Sequence, residues 1–229
     1  DPFASPDETL ETLRLVSEKY PEMLLCVASN GLNTAPYAAD LARLQVSHVT
    51  ITVNTIDPAI GAKIYSWVRD HKTIYRGEEA ACILLERQLA SIKALKSAGV
   101  TLKINTILVP GINAEHVEAV AEKMAELGAD VMNCIPLYPV TGTPFADRDE
   151  LPVPAVKKLR AKISAIIPQM EHCARCRADA VGLLGADQSA ELVNLMRDAS
   201  KGLLDDRAGR PYVAVASMEG VLINQHLGE

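Results

Sequence analysis

Two cysteines separated by two residues, Cys173 and Cys176, sit in the stretch EHCARCRAD (171–179), between a histidine and two arginines. Thiolates at this spacing can form one corner of a zinc site, a redox pair, a disulfide or part of an iron–sulfur ligand set. Structural zinc takes four nitrogen or sulfur ligands, and a Cys-x-x-Cys corner usually meets a second pair. No second pair exists, and His48, His71, His116 and His226 are isolated along the chain. A thioredoxin-like pair opens a helix after an early strand, whereas this one follows a long helical pattern late in the sequence. The polar neighbours Glu171, His172, Arg175 and Arg177 argue against two cysteines that merely pack. Iron–sulfur ligation remains, with nearby cations and donors to tune it. Two thiolates do not complete a cluster, so further ligands must come from elsewhere.

Cys26 is the best internal candidate for another ligand. It lies in a strand-like run, MLLCVASNG (23–31), on the same face as Ala28 and Asn30. The competing reading is a buried cysteine acting as a small hydrophobe. Cys82, between Ala81 and Ile83 in a helical pattern, and Cys134, in an apolar strand, read as packing residues. Lys103 raises a different chemistry. A lysine pointing into a barrel can form a Schiff base with a carbonyl substrate, which keeps a lysine-dependent lyase as a competing enzyme class. The Pro-Gly turn in VPGIN (109–113) could approach a ligand but lacks a full phosphate-binding fingerprint.

The elements that must position these residues alternate along the chain. Strand patterns fall at 23–31, 48–54, 101–110 and 130–139. Helical patterns fall at 35–45, in the second half of 58–99 with Gly99 as its C-terminal stop, and at 114–128, 152–167 and 187–200. Ser5-Pro6-Asp7-Glu8 spells a capped helix start. Strand and helix in alternation predict parallel β/α units. In ordinary doubly wound sheets both faces are apolar; here one face of each strand is polar. Cys26, Ala28 and Asn30 form one row, Thr50, Thr52 and Asn54 a second, and Thr101, Lys103 and Asn105 a third. The opposite rows are Leu25 and Val27; Val49, Ile51 and Val53; Leu102 and Ile104. The pattern does not fix the face of Asn133. The expectation is an α/β barrel or part-barrel with a polar lumen and its chemistry at the C-terminal strand ends.

Bulk properties bound the rest. The chain has 229 residues and a formal net charge of −6, which argues against a general nucleic-acid binder. No apolar run approaches the roughly 18 residues of a membrane span, and DPFASPDETL has no signal-peptide pattern. Five cysteines, three of them scattered among apolar residues, suit reduced thiols in the cytoplasm. A start on Asp1-Pro2 without an initiator methionine carries the expectation that the natural start is missing and the numbering opens mid-domain.

Read together, DPFASP, LCVASNGL, VSHVTITVNTIDPAIGAKIYSWV, LKINTILVPGIN, LGADVMNCIPLYP and HCARCRADAVGLLGAD resemble, in order, the radical S-adenosylmethionine (SAM) superfamily. Within it they are similar to the enzymes of nitrogenase iron–molybdenum cofactor biosynthesis. The resemblance implies a partial (βα)6 radical-SAM-type TIM barrel with extra C-terminal helices. It implies a barrel part with a cluster-binding extension over 1–200, a linker over 201–210, and the start of a truncated NifX-like domain over 211–229. The implied activity is SAM-dependent fusion of two [4Fe–4S] clusters, with carbide and sulfur added, into an 8-iron precursor. Cys173 and Cys176 would then hold one substrate cluster and Cys26 would help hold the other. Asn30, Asn54 and Asn105 match positions that contact SAM, and the backbone at Ile135 would lie near its adenine. Implied partners are iron–sulfur cluster donors and cofactor-assembly proteins, with no nucleic acid and no membrane. The Cys-x3-Cys-x2-Cys pattern that holds the SAM-cleaving cluster is absent. The 229 residues by themselves are therefore expected not to cleave SAM, and a non-catalytic cluster carrier using Cys173 and Cys176 is the competing reading.

Overall fold

Asp1 opens the chain as a cap. Its carboxylate accepts the Phe3 amide at 3.0 Å and holds a short 3-10 turn, Pro2–Ala4. Helix α1 (Pro6–Lys19) follows, with proline at its first turn, where its missing N–H costs nothing. The capping box expected at Ser5 does not form, because the serine hydroxyl makes no capping bond. Ser5 instead closes the 3-10 turn, donating its amide to Pro2 O at 3.2 Å. The computed structural model describes residues 1–170, and Asp1–Met170 form one compact unit. Cys173, Cys176, the helix expected at 187–200 and the boundaries expected at 200, 201–210 and 211–229 lie outside the described residues.

The chain then runs through β1 (Cys26–Ser29), α2 (Ala38–Arg43), β2 (His48–Thr52), α3 (Pro58–Ile64), β3 (Val68–Asp70), β4 (Thr73–Tyr75) and α4 (Gly77–Ser97). It continues through β5 (Thr101–Leu108), α5 (Val117–Glu126), β6 (Val131–Pro136) and α6 (Val153–Ile163). Strands β1, β2, β5 and β6 form one sheet in that order, every pair parallel. The expected part-barrel is thus present, among the described residues, as a run of four adjacent parallel strands. Strands β3 and β4 pair as an antiparallel hairpin inside the long segment before α4. Its turn places His71 at φ 52°, and the sequence pattern gave no hint of it.

One face of the sheet carries the core. Val27, Val49, Ile51, Leu102, Ile104, Met132 and Cys134 all belong to a single buried cluster. Helix α4 contributes Ile92 and Leu95 to it, and α5 contributes Val117, Val120, Ala121 and Met124. The buried positions of α4 recur every three or four residues, through Ala81, Leu84, Gln88, Ser91, Ile92 and Leu95. Cys82 falls outside that stripe and is exposed, which overturns its reading as a packing residue. Helix α4 ends as expected at Gly99, whose φ of +78° lets Val100 N reach Leu95 O at 3.1 Å. Gly61 serves another purpose: a Cβ there would stand 2.7 Å from Ala81 Cβ, so glycine lets α3 cross close to α4.

Helix α5 starts three residues later than the pattern from 114 suggests, and Asn113 is the reason. Its buried carboxamide accepts the Val109 amide at 2.7 Å and donates to Asn54 O and Ile107 O at 2.8 Å each. Residues 110–116 turn around that side chain before the helix begins.

Candidate functional site

Parallel register places residues of neighbouring strands side by side on one face, about 4.8 Å apart. On the face away from the core, Cys26, His48 and Thr101 form the row nearest the strand starts. Ala28, Thr50, Lys103 and Val131 form the next. Thr52, Asn105 and Asn133 follow, and then Ile107 beside Ile135. The register therefore settles the face of Asn133: it lies beside Asn105 on the polar side.

At the C-terminal rim, polar side chains continue the ladder where the strands stop. Asn54 Oδ1 accepts the Ile107 amide at 2.9 Å, and Thr106 Oγ1 donates to Val53 O at 2.6 Å. Asn54 also hydrogen-bonds Tyr65; burial of that phenol raises its pKa above the ordinary 10.0, and bonds from Asn54 and Gln88 partly offset the rise. Gln88, reaching up from α4 and 2% exposed, donates Nε2 to Asn30 O at 2.9 Å and Thr52 O at 2.8 Å. Asn30 sits exposed just past β1, its Oδ1 accepting the Leu32 amide at 2.8 Å. The Asp1 carboxylate accepts from Ser29 Oγ and from the Asn30 amide, tying the first residues to the end of β1. Gly31 completes this rim at φ +82°, where a Cβ would press within 3.0 Å of both Gln88 Cγ and Ile51 Cγ2. Of the three asparagines singled out in the sequence, Asn54 is thus engaged in holding the sheet end together, Asn30 caps its own turn, and Asn105 lies inside the polar face.

Asn105 and Asn133 differ from the rest. The Oδ1 atoms of both are shut from solvent and have no hydrogen-bond partner. A buried carbonyl left in this state costs about 1–3 kcal/mol. Asn133 as a residue is only 2% exposed. Orphaned acceptors on the polar face of the sheet are what a bound group with hydrogen-bond donors would satisfy.

At the other end of the same face, at the strand starts and not at the C-terminal rim where the chemistry was expected, Cys26 is exposed. His48, isolated in the sequence, is its register partner. Burial and then the Lys103 ammonium hold the His48 pKa below its ordinary 6.5, so the ring is neutral at neutral pH. Its Nδ1 lies 3.0 Å from Ser47 Oγ. Only the pairing of β1 with β2 brings His48 to Cys26, and no spacing along the chain signals it. Among the described residues no three His, Cys, Asp or Glu side chains converge as a metal ligand set. Cys134 is confirmed as a packing residue at 0% exposure, its thiol pushed up to about 12 by burial. Arg160 donates to the Cys134 carbonyl at 2.9 and 2.6 Å, and Met132 pairs with the 168–170 segment, so the outer edge of β6 is covered. Ile135 lies on the polar face, half-buried beside Ile107.

The family model described as the radical SAM superfamily matches residues 1–124. The FeMo cofactor biosynthesis protein NifB of Chlorobaculum tepidum is 55% identical over 229 residues, spanning 100% of this chain and 54% of that protein. The protein of the same name from Klebsiella pneumoniae is 37% identical over 253 aligned positions, again covering 100% of this chain and 54% of the relative. That from Methanocaldococcus infernus is 42% identical over 180 residues, 77% of this chain and 58% of the relative. The chain thus spans somewhat over half the length of these relatives. Among solved structures, methylornithine synthase (PylB) superposes with a TM-score of 0.51 at 15% identity, covering 92% of this chain and 66% of that one. At that identity the likeness establishes the fold alone.

Proposed function

Because this chain belongs to the radical SAM superfamily, we propose that it is the barrel segment of an enzyme of FeMo cofactor biosynthesis, one that binds SAM and iron–sulfur clusters on the polar face of its sheet. The likeness to the NifB proteins over the whole chain supports this reading. The observation that carries it is Cys26, an exposed thiol on the same sheet face as two carboxamides whose acceptors have no partner. The substrates are two [4Fe–4S] clusters, joined with carbide from a SAM methyl and one added sulfur into an 8-iron product. Cys26 helps hold one of them and Cys173 with Cys176 the other, in a cytoplasmic setting supplied by cluster donors and cofactor-assembly proteins. SAM bound at a reducing [4Fe–4S] cluster supplies a radical and the methyl carbon.

Within that scheme the residues of this chain have distinct work. Gln88, Asn54 and Asn113 fix the strand ends so that the polar rows keep their register. Asn30 and Asp1 shape the rim beside β1. Lys103, in the row next to Cys26, places a cation near an anionic cluster, where it favours the thiolate-bound state.

The test is iron and sulfide content of the full protein after anaerobic reconstitution. Cys26→Ser and the double variant Cys173→Ser/Cys176→Ser are each expected to lose about one cluster's worth of iron and sulfide. Unchanged content in Cys26→Ser removes the strand cysteine from the ligand set. Zinc in place of iron, in the unaltered protein, defeats the reading as a whole.

A further inference from the structure

We infer that the outer face of the β3–β4 hairpin is the docking surface for a small acidic iron–sulfur protein that carries electrons to the polar face of the sheet. This rests on the reading of that face as the site of a radical SAM reaction, which consumes electrons, and it adds the surface through which they arrive.

Three observations lead there. The first is what the hairpin shows to solvent. Arg69 and Ile74 are register partners on one side of it, while Val68 with Tyr75 and Asp70 with Thr73 occupy the other. Val68 and Tyr75 pack inward, whereas Ile74 stands 54% exposed. Trp67, the chain's only tryptophan, is equally exposed at 54% and belongs to neither buried cluster. Arg76, still extended at φ −138°, continues β4. Alternation puts Trp67 and Arg76 on the side of Arg69 and Ile74. Tryptophan and arginine are the residues that most often anchor protein interfaces. The second observation is charge. Residues 63–76 hold Lys63, Arg69, Lys72 and Arg76 against one acid, Asp70, in a chain of net charge −6. Asp70 is taken up by Arg87 at 2.9 Å, and none of the four cations forms an ion pair among the described residues. Glu78 and Glu79 follow on the first turn of α4, where the helix N-terminus favours them. The hairpin is a cationic island around two apolar side chains, and its complement is a patch of carboxylates around an apolar hollow. A second copy of the chain would set arginine against arginine. A membrane or nucleic acid would meet the negative charge of the rest of the chain. The third observation is position. Leu32 and Tyr65 pack with the inner face of the hairpin around Val68. Tyr65 bonds Asn54, and Leu32 follows the Asn30–Gly31 turn, so the hairpin stands beside the C-terminal rim of the sheet.

The size of the face selects the kind of partner. Four outward side chains make a small surface, and small, charge-steered contacts suit encounters that form and break at each turnover rather than a lasting complex. One electron passes per encounter. The carrier's reduced [4Fe–4S]1+ cluster becomes [4Fe–4S]2+ and the receiving [4Fe–4S]2+ cluster becomes [4Fe–4S]1+, with no bond made or broken and no proton moved.

The experiment uses the full-length, cluster-loaded protein under anaerobic conditions. The probe is a purified acidic [4Fe–4S] ferredoxin, in calorimetric titration and in stopped-flow oxidation of its reduced form. Binding is expected to weaken as salt rises from about 50 to about 300 mM, because exposed charges steer it. Arg69→Glu/Arg76→Glu is expected to weaken binding, and to slow electron transfer at limiting ferredoxin, by about 10-fold or more. Trp67→Ala is expected to act by a similar factor. Reduction of the same variants by dithionite, which needs no docking, is expected to match the unaltered protein. Lys157→Glu/Lys158→Glu makes the same change of net charge on exposed positions of α6 and is expected to shift ferredoxin binding by less than about 2-fold. The hairpin side chains replaced are exposed, so Tm is expected to hold. Should the glutamates unsettle the hairpin, Arg69→Gln/Arg76→Gln repeats the test without adding charge, with a loss between the two. Ferredoxin binding that is equal in the hairpin variants, or that the α6 pair weakens as much, overturns the inference. So does an unaltered protein that binds no ferredoxin, or that binds phosphatidylserine vesicles in its place. A protein with no dithionite-reducible cluster defeats the reading of the polar face instead, and the titration still reports on the hairpin.

Discussion

Cys26, Cys82 and Cys134 occupy environments that should order their reactivity. The first two are exposed and the third is sealed in the core with its pKa pushed up to about 12. Since the thiolate is the nucleophile, iodoacetamide at pH 8 on cluster-free protein is expected to label Cys26 and Cys82 and to spare Cys134 until the chain unfolds. Labelling of Cys134 at native-state rates would mean that its strand opens readily. The same shift has a consequence for stability. Unfolded, the thiol ionises near its ordinary 9.0; folded, it stays neutral until about 12. The folded form therefore loses ground as pH rises from 9 towards 12. At pH 10.5 the penalty reaches about 2 kcal/mol for this one group. Urea unfolding at pH 8 and 10.5 should show a larger alkaline loss in the unaltered chain than in Cys134→Val, which keeps the part due to the buried Tyr65 phenol. Cys134 was legible in the sequence because Val131, Met132 and Ile135 announce an apolar strand around it. Cys82 was not: its helix has alanines and apolar residues on several sides, and only the sheet it packs on decides which stripe is buried.

Helix ends and strand starts were more legible than the contacts between them. Gly99 and Gly128 mark the ends of α4 and α5, with φ of 78° and 81°, because few other residues adopt that conformation without strain. Register was not legible, since it depends on how two distant segments pair. Asp130 shows what fixes it. Its Oδ2 accepts the Leu102 amide and the Lys96 ammonium, each at 2.7 Å, while its own amide donates to Leu102 O at 3.0 Å. One side chain thus joins the end of α4 to the starts of β5 and β6. Burial works to raise the Asp130 pKa, but the Leu102 amide and Lys96 outweigh it and hold the carboxyl below 3.8. A depressed carboxyl stabilises the fold above its unfolded value, and that contribution fades as pH falls below 3.8 through the folded value. Discounting the solvent-exposed part of the Lys96 pair, Asp130→Asn is expected to cost about 1 kcal/mol at pH 7. Urea midpoints at pH 7 and pH 3 check this: the gap between variant and parent should shrink at the lower pH. A gap that is constant with pH would assign the effect to hydrogen-bond geometry alone.

At the scale of the molecule, the alternating polar and apolar rows announced a part-barrel with one face for helices and one for a ligand, and the sheet has that form. What the rows could not announce is which strands end up inside the sheet. Strands β2 and β5 are each paired on both sides, whereas β1 and β6 stand at the edges. Those edges are not equal. The outer side of β6 is bonded to the 168–170 segment and to Arg160, so three of its backbone groups have partners. The outer side of β1 meets the 3-10 turn at Pro2–Ala4 and the Asp1 carboxylate, which bonds its end rather than its length. Amide exchange follows the free energy needed to open each strand, and open strand edges are the first to yield. Exchange measured by mass spectrometry on the 229-residue chain is therefore expected to be slowest in β2 and β5, intermediate in β6 and fastest in β1. Cys26 lies on that fastest strand, so cluster binding there is expected to slow β1 more than any other strand on reconstitution. Equal protection of β1 and β5 before reconstitution would mean that another part of the chain covers the β1 edge. No change in β1 on reconstitution would separate Cys26 from the cluster site, since a ligand that binds only the folded strand must raise the cost of opening it.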